Sequence, residues 1–425
     1  LVSSRDPADD LPMMPTCCAS TRTTTTMHTK TEDLATLFDT PVERRGTWST
    51  KWDRYAGRDV IPMWIADMDF RAPQPVLDAL RDEVDHGVFG YSDPGPELAE
   101  TIAAQFLDAY GWKTQPEWFV WLPGLVTGLN VACRAVGETD DDVLTGVPVY
   151  PPFLSSPVYS DRRCVRVPLV EDGGRWTFPA SALEAAITPR SRLFLLCNPH
   201  NPVGRAFSRE ELRALADVCT AHDLVICSDE IHCGLVLDPD REHVPIAALD
   251  ESIAERTITL MAASKTFNVP GLATAFAIVP NAGLRRRMHR VMRGIVHGAP
   301  GIGLKATLAA YRDCEPWRRA LVDHLRGNRD RVVERINAIP GLRVGSPEAT
   351  YLAWIDFRAS GIDDAVGFFE RAGVGLHDGA LFGTPGFLRL NFGCQRSVLD
   401  EALDRMERAV AGRQDGRVGS VLQIP

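Results

Sequence analysis

ThrIleThrLeuMetAlaAlaSerLys (257–265) opens with apolar and β-branched residues, as a strand buried on both faces does, and closes on a lysine. The chain has only five lysines, Lys30, Lys51, Lys113, Lys265 and Lys305, and relies on arginine for its remaining positive charge. A lysine amine becomes a nucleophile for carbonyl chemistry where its surroundings oppose protonation, which a strand end opening into a pocket provides and a solvated helix face does not. The plainer reading of Lys265 is a cap on a strand edge.

Outward from this stretch, similar short apolar runs recur at 118–122, 192–197, 223–228 and 273–279, with Val143 to Val147 as another strand candidate. Helical signals fall between them: Ser208 with Glu211 forms a capping box opening a helix to about Ala221, and Ser181 with Glu184 opens a shorter one. Alternation of this kind predicts an α/β architecture with parallel strands. Amphipathic stretches at about 302–338 and 397–411 flank a strand candidate at 351–357 and predict a smaller α+β domain. The expected division is a disordered leader over 1–26, an arm over 27–70 joining the small domain, a large domain over 71–305, a small C-terminal domain over 306–412 and a disordered tail over 413–425. Met27 is the expected natural start.

The 425 residues carry a net charge of −10 with no basic stripe, which disfavours nucleic acid and anionic membranes and favours a small-molecule substrate. No run of 18 apolar residues is present to span a bilayer. Ten cysteines show no paired CxxC spacing, so buried free thiols in a reducing cytoplasm are expected, with no metal site.

In open parallel sheets ligands collect at the carboxyl ends of the strands. There the sequence delivers ProGlyLeuValThrGly (123–128), AsnProHisAsnProValGly (198–204), AspGluIleHis (229–232) and SerLysThrPheAsn (264–268). Singly these are ordinary turns and caps. Together they suit pyridoxal 5'-phosphate: Lys265 for its aldehyde, Asp229 to keep its pyridine nitrogen protonated, and Asn201 and His232 as donors to its phenolate oxygen. Gly124, Leu125 and Val126 would form a phosphate nest before a helix begun near Thr127, Tyr150 would cover the ring, and Arg389 in PheLeuArgLeuAsnPheGly (387–393), with Asn201, would grip a substrate carboxylate.

The order of these motifs resembles fold-type I pyridoxal-phosphate enzymes of the class I/II aminotransferase superfamily: Asp229 follows Asn201 by 28 residues, Lys265 follows after 36 more and Arg389 after a further 124. TrpIleAlaAspMetAspPhe (64–70), SerAspGluIleHis (228–232) and SerLysThrPheAsn resemble the cystathionine β-lyase subgroup related to the maltose-regulon modulator, over about residues 34–411. The resemblance implies a mostly parallel central sheet in a large domain with a smaller α+β domain, β-elimination of sulfur amino acids with Lys265 as the base for the Cα proton, and a homodimer. Tyr91 in PheGlyTyrSerAspProGly (89–95) would reach the neighbouring subunit's cofactor, and Ser264 would touch the phosphate. An aminotransferase with the same cofactor apparatus and a regulatory binding protein keeping the fold are the alternatives. Two alanines depart from the wider pattern: Ala273, where many relatives carry a phosphate-binding arginine, and Ala262, where they carry a serine. Ser264 or Thr266 would compensate. Cys233 and Gly234 replace an acidic residue that the subgroup has shortly after the histidine.

Overall fold

The apolar runs become strands in a computed structural model, which describes residues 34–414. Six of them, with one strand the sequence did not signal (β3), form one sheet: β1 (Phe119–Leu122), β2 (Asp142–Val147), β3 (Arg163–Pro168), β4 (Ser191–Cys197), β5 (Val225–Asp229), β6 (Thr257–Met261) and β7 (Ala275–Ile278), in the spatial order β1-β7-β6-β5-β4-β2-β3. β2, β4 and β6 are buried at nearly every position, because helices cover both faces of the sheet.

The sheet is mostly parallel, as expected, and its exception is β7, which runs antiparallel to both β6 and β1. A parallel return needs a crossover, usually a helix. Between β6 and β7 the chain makes only the 3-10 turn Pro270–Leu272, so the strand comes back in the opposite sense. The 209–221 helix carries both bonds of the Ser208–Glu211 capping box. In the other helix, Ala180–Ala185, Pro179 occupies the cap and Ser181 sits inside the first turn, because proline's fixed φ already suits that entry.

A second, four-stranded antiparallel sheet holds β8 (Arg343–Val344), β9 (Leu352–Asp356), β10 (His377–Asp378) and β11 (Phe387–Asn391) in the order β8-β9-β11-β10. The amphipathic stretch at about 302–338 forms two helices, Gly301–Asp313 and Glu315–Ala338, and the last helix, Arg396–Gln414, runs past the expected start of the tail. Residues 1–26, read as a leader, and the tail beyond Gln414 lie outside the described residues.

The eight described cysteines are all free thiols; seven are buried and Cys164 is half-buried. No described helix is long and apolar enough to cross a membrane.

Candidate active site

The carboxyl edge of the large sheet opens into a cavity of about 810 Å3 that collects the residues following its strands: Gly124, Leu125 and Val126 after β1, Tyr150 after β2, Asn201 after β4, Asp229 and His232 at the end of β5, and Ser264 and Lys265 after β6. Arg389 enters the same cavity from β11 of the smaller sheet. Every sequence-derived site residue except Tyr91 and the alternative phosphate contact Thr266 therefore meets in one place. Tyr91 is fully exposed and does not line this cavity.

Lys265 is enclosed, and its Nζ donates to the carbonyl of Ala66 at 2.5 Å. Burial pushes its amine down to about 8 against the opposing pull of Asp67, so a usable fraction is uncharged at neutral pH. Asp229 is its opposite: burial pushes the carboxyl up to about 7, and its Oδ1 accepts only the backbone N–H of Ile231 (3.1 Å). Arg389, 1% exposed, donates from Nη1 to Asn201 Oδ1 (3.0 Å) and from Nη2 to the Trp64 carbonyl (2.8 Å) and to His377 Nδ1 (3.1 Å). Its guanidinium lies over the Phe382 ring at 4.7 Å, and burial lowers its pKa to about 10. No described carboxylate pairs with it. His232 is buried edge-on to Tyr351 with Nδ1 unpartnered, and burial holds its imidazole neutral, down to about 3.

The helix after β1 begins at Leu125, two residues before its expected start, so Leu125 and Val126 belong to its first turn. First-turn N–H groups lack intrahelical acceptors, which strengthens the nest as an anion site. Nothing approaches within 4 Å of a Cβ built on Gly124, leaving room for a ligand against the backbone.

The family model for aminotransferase class I and II matches residues 58–406. The chain belongs to the class I and II aminotransferase family. Cystathionine beta-lyase PatB of Bacillus subtilis (strain 168) is 36% identical over 386 residues, a match covering 88% of this chain and 100% of PatB. Among solved structures, OvoB is similar at 44% identity and a TM-score of 0.86, covering 88% of this chain and 98% of that one. Cystalysin from Treponema denticola, whose crystal structure contains a pyridoxal 5'-phosphate cofactor, is similar at 31% identity and a TM-score of 0.85, covering 88% and 99%.

The side chains of this family member fit that cofactor on their own chemistry. A buried carboxylate in no ion pair, an enclosed amine of lowered basicity and a helix N-terminus with free space before it are respectively what a protonated pyridine nitrogen, an aldehyde and a phosphate require. Ala262 and Ala273 both line the cavity and offer the phosphate no polar side chain, and Ser264 lies among them. Thr266 does not: it lines a second cavity, of about 650 Å3, with Cys233, Tyr110 and Arg318, so of the two compensating groups only Ser264 is in position.

Sequence reasoning assigned no role to Trp64, Ala66, Asp67, Tyr351 or His377. Tyr351 Oη shares the Ala66 carbonyl with Lys265 (3.0 Å), and Asn391 Nδ2 holds the carbonyls of Ile65 (2.6 Å) and Asp67 (2.7 Å). The signal that could have found the first three was the 64–70 motif itself. His377 carried none.

Proposed function

We propose that this chain is a pyridoxal 5'-phosphate-dependent carbon–sulfur lyase that converts L-cystathionine or cysteine S-conjugates to a thiol, pyruvate and ammonia. The observation that carries the reading is that two buried groups without counter-ions, Asp229 and Arg389, share a cavity with an amine of lowered basicity. One calls for a ring nitrogen, the other for a substrate carboxylate. The lyase names of PatB and of its C–S lyase relatives, rather than an aminotransferase name, choose among the reactions such a site can run.

When bound, pyridoxal 5'-phosphate supplies an electron sink that acidifies the Cα–H bond and so permits loss of a thiolate from Cβ. The protein does the rest. Arg389, braced by Asn201, the Trp64 carbonyl and His377, holds the substrate carboxylate and thereby fixes the direction of the Cα–H bond. Lys265 Nζ accepts the Cα proton, for which an amine near 8 is well matched to neutral pH. Asp229 holds a proton at the ring nitrogen. Asn201, whose Oδ1 is committed to Arg389, offers its amide N–H to the ring oxygen, as does the neutral imidazole of His232. Gly124, Leu125, Val126 and Ser264 would hold the phosphate, and Tyr150 would cover the ring.

We extend the proposal to a cytoplasmic homodimer in which Tyr91 of each chain completes the other's site. Residues 71–305 form its cofactor-binding lobe, and 306–412 with the 27–70 arm form the smaller one.

The test is pyruvate release from L-cystathionine by the purified chain reconstituted with cofactor, without added keto acid. Stoichiometric pyruvate and thiol are expected, and Lys265→Ala should abolish both while borohydride fixes the cofactor to Lys265 in the wild type. Faster turnover of alanine or aspartate with 2-oxoglutarate would make the chain an aminotransferase instead.

A further inference from the structure

Trp64, Ile65, Ala66, Asp67, Met68 and Phe70 all border the cavity, and the segment is tied down along its length. Asn391 holds the carbonyls of Ile65 and Asp67, Asn268 brackets Met68, and the Ala66 carbonyl receives both Lys265 and Tyr351. Asp67 itself is half committed. Its Oδ2 accepts Arg44 Nη2 at 2.7 Å, while Oδ1 is buried and has no hydrogen-bond partner. Leaving a carboxylate oxygen out of water without a donor is costly, and the residue before it is the one that Lys265 touches.

We infer that Asp67 is a positioning residue for Lys265, the fixed negative charge against which the amine is held once it has become an ammonium by taking the Cα proton. The inference rests on the role given to Lys265 in the proposed reaction. The proton passes from Cα to Nζ and goes no further.

The charges facing Lys265 leave this job to Asp67. Asp229, on β5, is committed to the ring nitrogen in the proposed reaction. Arg389, from β11, repels an ammonium. His232, Tyr150 and Tyr351 are uncharged, since burial lowers the imidazole and raises both phenols. Asp67 is also the strongest influence favouring the charged amine, ahead of Asp229. Behind it stands a balanced network: Arg44 pairs with Asp67 and Asp69, and the buried Lys51 pairs with Asp69 (2.8 Å) and donates to the Asp67 carbonyl (3.1 Å). That network fixes Asp67 in place without supplying a donor to Oδ1.

The amine can be titrated directly, because a full-length chain grown on lysine labelled with 13C at Cε has only five lysines to resolve. The signal lost in Lys265→Arg is Lys265. In the cofactor-free chain, Asp67→Asn should lower its midpoint by roughly one pH unit, as loss of a nearby opposite charge does. A merely loosened segment would admit water and raise it, so the sign separates the two causes. Arg44→Met, which cuts the same ion pair but removes a positive charge, should raise the midpoint. In the holoenzyme with L-cystathionine, the acid limb of kcat against pH should move down in Asp67→Asn, and Asp67→Glu should restore it towards wild type. An unchanged or raised midpoint in Asp67→Asn overturns the inference, as does a lowered one in Arg44→Met. A wild type that binds no cofactor and forms no pyruvate would instead end the lyase reading, which the cofactor-free titration does not test.

Discussion

Asp229 ends β5 with its carboxyl pushed by burial from the ordinary 3.8 up to about 7. A carboxyl whose folded value lies above its unfolded one contributes stability that is complete below about pH 4 and is lost as pH rises towards 7. Asp229→Asn carries no charge at any pH. The stability of the cofactor-free variant relative to wild type should therefore rise across that window, by about 2 to 4 kcal/mol at pH 7, in urea denaturation. The imidazoles of buried His232 and His200 and of half-buried His377, lowered to about 3, 4 and 4, impose the opposite slope. Both proteins share it, so it cancels from the difference. Parallel stability profiles would mean that water reaches the Asp229 carboxylate. At this scale the sequence was most legible where a residue ends a strand, since Lys265, Asp229 and Asn201 follow apolar runs that point to the carboxyl edge. The motif at 64–70 marks Asp67 as part of a segment but not what that segment meets, because the meeting is contact over distance: Lys265 and Ala66 lie 199 positions apart and Arg389 and Trp64 lie 325 apart. No local spacing encodes such a meeting.

The loop after β6 and the 64–70 segment are joined by Asn268, whose Oδ1 accepts the Met68 N–H (2.9 Å) and whose Nδ2 donates to the carbonyls of Met68 (2.9 Å) and Phe70 (2.7 Å). Asn268 sits at φ 55°, in the left-handed region, where asparagine is tolerated and alanine is strained. Asn268→Ala should cost about 2 to 4 kcal/mol by chemical denaturation, from the lost bonds and the backbone together. Asn268→Gly should recover about 1 kcal/mol of that, the backbone part alone. A loss below about 1 kcal/mol for alanine would place the anchoring of the segment elsewhere. Element type was readable from apolar runs and caps, whereas element direction was not: β7 has the same buried composition whichever way it points, and only the lack of a crossover helix reverses it. The cap at Pro179 misled for a related reason, since serine and glutamate three apart fit a capping box whether or not proline has already begun the helix.

Val88, Phe89 and Tyr91 stand exposed on one segment, at 67%, 70% and 112%, a concentration of apolar surface that a lone chain of this kind rarely presents to water. The proposed homodimer covers it. Sedimentation should give twice the 46.8 kDa chain mass, and mixing Lys265→Ala with Tyr91→Ala chains should restore activity that neither has alone. Each mixed dimer holds one site with both residues intact, so a statistical mixture recovers about a quarter of wild-type activity. No recovery would show that Tyr91 serves its own chain or none. The thiols kept inside the fold bear on the same enzyme from another side. Burial pushes Cys133, Cys219, Cys314 and Cys394 to about 12 and Cys233 to about 11, and thiol–disulfide exchange runs through the thiolate. A catalyst that releases a free thiol at every turnover is steadily exposed to sulfur nucleophiles and the mixed disulfides they form on air. With these five sulfurs protonated and enclosed, packing alone denies the product thiol a partner at each of them.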